Sequence, residues 1–117
     1  MRARHYRRGT AAERTAALWL QCFGHRLLAR RYKTPVGEID LIARRGRTLL
    51  FVEVKGRRRH AHAREAVHAH NQSRVVRAAQ WWLAAHPSFA DCTIRFDVVT
   101  VAWYRWPHHI KAAFTAA

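Results

Sequence analysis

The sequence predicts an α/β domain of element order α-β-β-β-α-β, a mixed central sheet flanked by helices. Three observations carry this. Gly37-Glu38-Ile39-Asp40-Leu41-Ile42-Ala43 and Leu49-Leu50-Phe51-Val52-Glu53-Val54-Lys55 are apolar, β-branched runs on either side of a short basic turn, which reads as an antiparallel hairpin. Stretches with helical spacing lie before and after that hairpin. A last β-rich run, Thr93 to Trp103, follows the second helical stretch, and a strand reached through a helix should return by a right-handed crossover.

In chain order, residues 1–8 hold four arginines, Arg7 and Arg8 among them, and no core pattern. They read as a basic N-terminal arm, either lying along phosphates or simply solvated, ahead of a single domain over 9–117. Thr10-Ala11-Ala12-Glu13 opens a first helix with an apolar stripe of Ala12, Ala16, Trp19, Leu20 and Phe23, and Gly24 stops it. His25 to Tyr32 supplies a first strand, and Thr34-Pro35 turns it into the hairpin, giving a three-strand meander. A second helix runs from about Asn71 to Ala85 and ends before His86-Pro87; Trp82 falls on its core face and Trp81 on its exposed side. Within the last strand Asp97 reads as the partner of a neighbouring arginine in preference to a further acid near the hairpin. The aromatic tail from Tyr104 to Ala117 reads as a cap on the sheet edge.

At 117 residues the chain holds one core, burying roughly two thirds of the surface its unfolded form exposes. Lysine and arginine number 22 against seven acids, a formal charge of +15, and so strong a basic balance implies a polyanionic partner, nucleic acid first. The competing explanation is an arginine-rich surface with no such partner. Cys22 and Cys92 are far apart and have no zinc spacing, which fits a reducing cytoplasm, and neither a signal peptide nor a membrane-spanning run is visible.

Three of the seven acids, Glu38, Asp40 and Glu53, fall on the two core strands. Period-two alternation groups Glu38, Asp40 and Ile42 on one strand face, and Leu49, Phe51, Glu53 and Lys55 on another. A two-residue loop around Arg45-Gly46 sets Asp40 diagonal to Glu53, a four-residue loop sets it directly opposite, and an unbulged three-residue loop separates the two. Two carboxylates 4 Å apart repel by roughly 4 kcal/mol at an effective dielectric of about 20, so something must hold them together. A divalent cation would do so, with Lys55 adding a positive charge for a phosphate or a water.

An aspartate followed about a dozen residues later by Glu-x-Lys on adjacent strands resembles the active site of the restriction-endonuclease-like superfamily, the PD-(D/E)XK nucleases. The GEIDLIA and FVEVK runs, with Gly9, Glu13 and the late RFDV at 95–98, resemble more closely the YraN-like family of small bacterial proteins. The resemblance implies a restriction-endonuclease-like core, with Glu13, Asp40 and Glu53 as ligands of Mg²⁺ or Mn²⁺ and Lys55 as the catalytic lysine of a DNA nuclease. Two positions depart from the superfamily pattern: Ile39 stands where proline usually precedes the aspartate, and Asn71-Gln72 opens the second helix without the expected lysine. Gln72 and Glu38 are accordingly accessory candidates, Glu38 with the alternative of a rim residue paired to arginine.

Arg57, Arg58 and Arg59, following Lys55, are placed either to meet a nucleic-acid backbone or to form a solvated loop. Glu13 also has two roles, because Thr10-x-x-Glu13 spells a capping box that needs no metal. The pairs His60-x-His62 and His68-x-His70 have the wrong spacing for a zinc site in a loop or helix. The leading expectation is a metal-dependent nuclease acting on DNA. The alternative is a non-catalytic nucleic-acid-binding module of the same fold, and after it a protein-interaction domain with a basic face.

Overall fold

Strands β1 (Arg26–Thr34), β2 (Gly37–Arg45) and β3 (Thr48–Gly56) form the meander, between helix α1 (Arg2–Cys22) and helix α2 (Ala69–Ala85) in the sequence. A short 3₁₀ turn, Pro87–Phe89, leads to β4 (Thr93–Val101) and β5 (His108–Phe114). The structure, a computed structural model, describes residues 2–56, 69–102 and 104–116, and the side chains of these except 2–10 and 69–71. The sheet order is β1-β2-β3-β4-β5. β3 and β4 pair in parallel, as a helical connection requires, and the other neighbours are antiparallel.

The helices cover opposite faces of the sheet. Ala16, Ala17 and Leu20 of α1 pack on Leu41, Ala43, Leu50, Val52 and Val99. On the other face Val75, Ala78, Ala79 and Trp82 of α2 meet Ile42, Leu49, Phe51, Phe96 and Val98. Within β3 the alternation is regular, with Leu49 and Phe51 on the α2 side and Leu50 and Val52 on the α1 side. Trp82 is buried and Trp81 half exposed, as their helical positions predict. None of the described helices is long and apolar enough to cross a membrane.

Local chemistry explains the joints. Gly24, at φ 85°, ends α1 with its amide bonded to the Gln21 carbonyl and the His25 amide bonded to the Leu20 carbonyl, the two bonds of a Schellman motif. Between β1 and β2 the Thr34 hydroxyl accepts from the amides of Val36 and Gly37 and donates to the Gly37 carbonyl. Gly46, at φ 59°, opens a two-residue turn between β2 and β3, where a positive φ matches the twist of the strands.

Three sequence expectations change. Helix α1 begins at Arg2, so the backbone of the expected arm is helical from that residue, and Thr10 lies inside the helix where it cannot cap its start. The tail does cover the sheet edge, but as a fifth strand beyond the six-element order. Arg57, Arg58, Arg59 and the histidines at 60, 62 and 68 lie outside the described residues.

Asp97 holds β5 in place. It is fully buried and receives Nε and Nη2 of Arg95, Nε2 of His109 at 2.6 Å, and the amide of Ala112 at 3.0 Å. Ala112 takes φ 51° where the β4–β5 register shifts, so the bulge aims its amide at the carboxylate. Burial alone would raise the Asp97 pKa, but the bonds from His109, Arg95 and Ala112 outweigh it and the net shift is downward. The expected pairing with a neighbouring arginine is thus observed, with two partners more.

Gly37 tests how tightly α2 is seated. A Cβ there would overlap the backbone carbonyl of Arg74, which no side-chain rotation can relieve. Gly37→Ala should lower unfolding free energy by about 1–3 kcal/mol or more through overpacking. Gly46→Ala, which meets nothing within 4 Å but keeps a positive φ, should cost roughly 1–2 kcal/mol. Urea denaturation of the two variants checks the ranking; an unchanged midpoint for Gly37→Ala would contradict the close approach.

Candidate active site

The hairpin register places the two carboxylates. Pairs run from Arg45↔Thr48 to Leu41↔Val52, the last pair before Asp40 and Glu53. The loop has two residues, but they are Gly46 and Arg47, one position later than Arg45-Gly46. That shift changes the register from the one a turn at Arg45-Gly46 would give.

At Asp40 the strand ceases to be regular. Ile39 packs in the α2 layer and Leu41 in the α1 layer, although they are two residues apart, so the alternation predicted from Glu38 to Ile42 breaks between them. On β1, Arg31 falls between the pairs Arg30↔Leu41 and Tyr32↔Ile39 and adopts φ 51°, a conformation rarely taken by a side chain of this size. Oδ2 of Asp40 accepts the amide of Val54 at 2.8 Å, so a side chain takes up a β3 amide beyond the last β2–β3 pair, Leu41↔Val52. A local irregularity beside paired acids is a place where a fold stores strain.

Burial, then the negative charge of Glu53, pushes the Asp40 carboxyl up to about 7; the Val54 bond and Lys55 act in the opposite direction, and the charge of Glu13 adds to the rise. Burial also raises Glu53, with Glu38 and Glu13 adding to the rise and Lys55 opposing it. Nζ of Lys55 lies 3.5 Å from Oε2 of Glu53. Asp40 is therefore only partly ionised near neutral pH.

Glu13, on α1, is buried and accepts Nε of Arg31 at 2.7 Å. It is close enough to raise both hairpin carboxylates, yet its geometry is that of an ion pair with the strained arginine of β1. Glu38 is exposed and acts on Glu53 through its charge. Gln72 is half-buried in the first turn of α2, two residues before Arg74, whose carbonyl touches Gly37. The side chains of Arg7 and Arg8 are outside the described set. Arg31 was not singled out from sequence, and the only signal was a pair of arginines interrupting an apolar strand.

Among the described residues, no group of three or more His, Cys, Asp or Glu stands close enough to hold a metal ion. Asp40 and Glu53 nevertheless fit a hard cation of the Mg²⁺ kind, which takes one or two carboxylates and completes its shell with water and phosphate oxygens. Two oxygen donors that burial raises, Asp40 further through the charge of Glu53, are the donor set such an ion relieves.

The sign of the pH effect follows. Asp40 binds its proton more tightly folded than unfolded, so its ionisation costs stability as pH rises from about 4 through about 7, and the cost is complete above that. Asparagine keeps an acceptor for the Val54 amide and carries no charge. In metal-free buffer Asp40→Asn should raise Tm by roughly 4 °C or more at pH 8 and leave it nearly unchanged at pH 4, read by thermal denaturation. An equal or lower Tm at pH 8 would show that the carboxylates are not in conflict.

A sequence profile of the uncharacterised protein family UPF0102 matches residues 12–101. The chain is 49% identical over 112 residues, 96% of its length and 83% of the relative's, to a UPF0102 protein of Rhodopseudomonas palustris (strain BisB18). It is 47% identical over 117 residues to one of Nitrobacter winogradskyi, covering 100% of this chain and 99% of that one. With one of Methylorubrum extorquens (strain PA1) the identity is 52% over 107 residues, 92% of this chain and 84% of the relative. Profile and relatives span the hairpin, both helices and β4, and the chain belongs to the uncharacterised protein family UPF0102, the YraN-like proteins.

Proposed function

We propose that this protein is a metal-dependent nuclease that hydrolyses phosphodiester bonds in DNA. The observation that carries the reading is the buried Asp40–Glu53 pair, in mutual conflict near neutral pH, with Lys55 beside it in a chain of net charge +15. A fold selected for stability alone has no use for acids so placed, whereas perturbed carboxylates cluster where chemistry is done.

Asp40 and Glu53 would hold Mg²⁺ or Mn²⁺, which when bound supplies a Lewis acid for a phosphate oxygen and an acidified water. Lys55, held by Glu53, positions the attacking water or neutralises charge developing on the phosphate. Arg31 orients Glu13, which tunes the pair through its charge. Arg57, Arg58, Arg59, Arg7 and Arg8 are the proposed phosphate contacts. Free cysteines, Cys22 of them exposed, fit a reducing cytoplasm.

The lack of a three-donor group among the described residues favours a second reading, a DNA-binding module of the same fold that turns over nothing. Labelled linear and branched DNAs incubated in Mg²⁺, Mn²⁺ and EDTA separate the two. Cleavage should need the metal, and Asp40→Asn, Glu53→Gln and Lys55→Ala should each slow it by at least about a hundredfold while DNA binding persists. Inactivity of the wild type on every substrate, with no metal binding by calorimetry, would leave the binding module.

A further inference from the structure

We propose that an aromatic surface built from Trp19 of α1, Phe23 in the turn just after it and Trp106 of the β4–β5 loop stacks unpaired bases of the strand that enters the Asp40–Glu53–Lys55 site. This rests on the nuclease reading and makes its substrate single-stranded or branched rather than uniform duplex.

The rings are contiguous, with Trp19 half-buried between two exposed partners. Trp19 lies 4.6 Å from Phe23 and 5.8 Å from Trp106, centroid to centroid. Phe23 is 51% exposed and Trp106 80%, with Leu18 and Tyr104 also exposed beside them in sequence. Burying such rings normally dominates the energetics of a core, so their clustering at the surface points to a ligand with flat apolar faces.

Charge selects the ligand. Among the described side chains exposed on α1 and along 104–116, the charged ones are Arg14, Arg105 and Lys111, all cationic. The Arg105 guanidinium lies over the Tyr104 ring at 5.6 Å. A second copy of this chain would bring two bodies of charge +15 together. A nucleic-acid strand offers both required properties, anionic phosphates and π faces, and cationic grooves with aromatic platforms bind single strands without sequence preference. Paired bases are already stacked on one another, so the platform selects unpaired ones.

Position links the surface to the carboxylates. β4 ends at Val101, the register partner of Gly56, which follows Lys55, so the loop bearing Trp106 leaves the sheet at that end. A Cβ on Gly56 would lie 3.7 Å from Ala12 of α1. Trp19 is seven residues further along that helix, about 10 Å, or about three nucleotide steps.

The test is binding of a fluorescein-labelled oligothymidine of about 20 nucleotides, and of a duplex of equal length, in EDTA. Trp106→Ala and Phe23→Ala, both at exposed positions, should weaken single-strand binding about five- to hundredfold and duplex binding less than twofold. Trp106→Phe should restore most of the loss, and circular dichroism verifies that each variant is folded. Equal single-strand affinity in wild type and Trp106→Ala overturns the platform, as does a wild-type dimer, seen by sedimentation, that Trp106→Ala dissociates with no change in binding. Because EDTA removes cleavage, binding is read apart from turnover: a platform that binds in EDTA while the protein cleaves nothing in Mg²⁺ or Mn²⁺ would count against the nuclease reading alone, whereas no DNA binding at all would remove both.

Discussion

Two like charges forced side by side in a buried sheet are the constraint on which the rest of this structure turns. Asp40 and Glu53 lie just beyond the last β2–β3 pair, in a register that a two-residue turn opened by Gly46 fixes. It is sustained by strands anchored on both faces, α1 on one and α2 on the other, so that the core holds the acids against their repulsion. Around them stand Lys55, the Glu13–Arg31 pair and a strained β1 residue opposite Asp40. Natural folds keep such unfavourable arrangements where function requires them.

Asp97 shows that this chain can bury an acid without conflict. It is less exposed than Asp40 or Glu53, yet its carboxyl lies below the usual range because two side chains and an amide donate to it. At Asp40 burial first, then the negative charge of Glu53, outweighs a single backbone donor, and its carboxyl lies far above that range. The two aspartates sit in adjacent parts of the same sheet with opposite shifts. One carboxylate serves as a strut; the other is the group proposed to hold a cation.

The hairpin was legible in the sequence because its signals are local: β-branched runs, a basic turn and alternation in β3. The helix stop at Gly24 and the sides taken by Trp81 and Trp82 were legible for the same reason. The start of α1 was not, since Thr10-x-x-Glu13 has the form of a cap while the helix continues upstream to Arg2. β5 was missed as a strand because its docking depends on Asp97, a residue on another strand. The partnership of Glu13 with Arg31 is an α1–β1 contact, which neither segment announces by itself. Of the candidate site, the proposed residues were named from sequence, but the broken alternation at Asp40 needed the register.

The most direct measurement is a ¹³C NMR titration of the side-chain carboxyls, without metal and with Mg²⁺. The account predicts that Asp40 and Glu53 together retain a proton up to about pH 7 in metal-free buffer, and that Mg²⁺ displaces it, moving that step downward while Asp97 stays below the usual range. Ordinary titration of both hairpin acids near pH 4, unmoved by Mg²⁺, would contradict it.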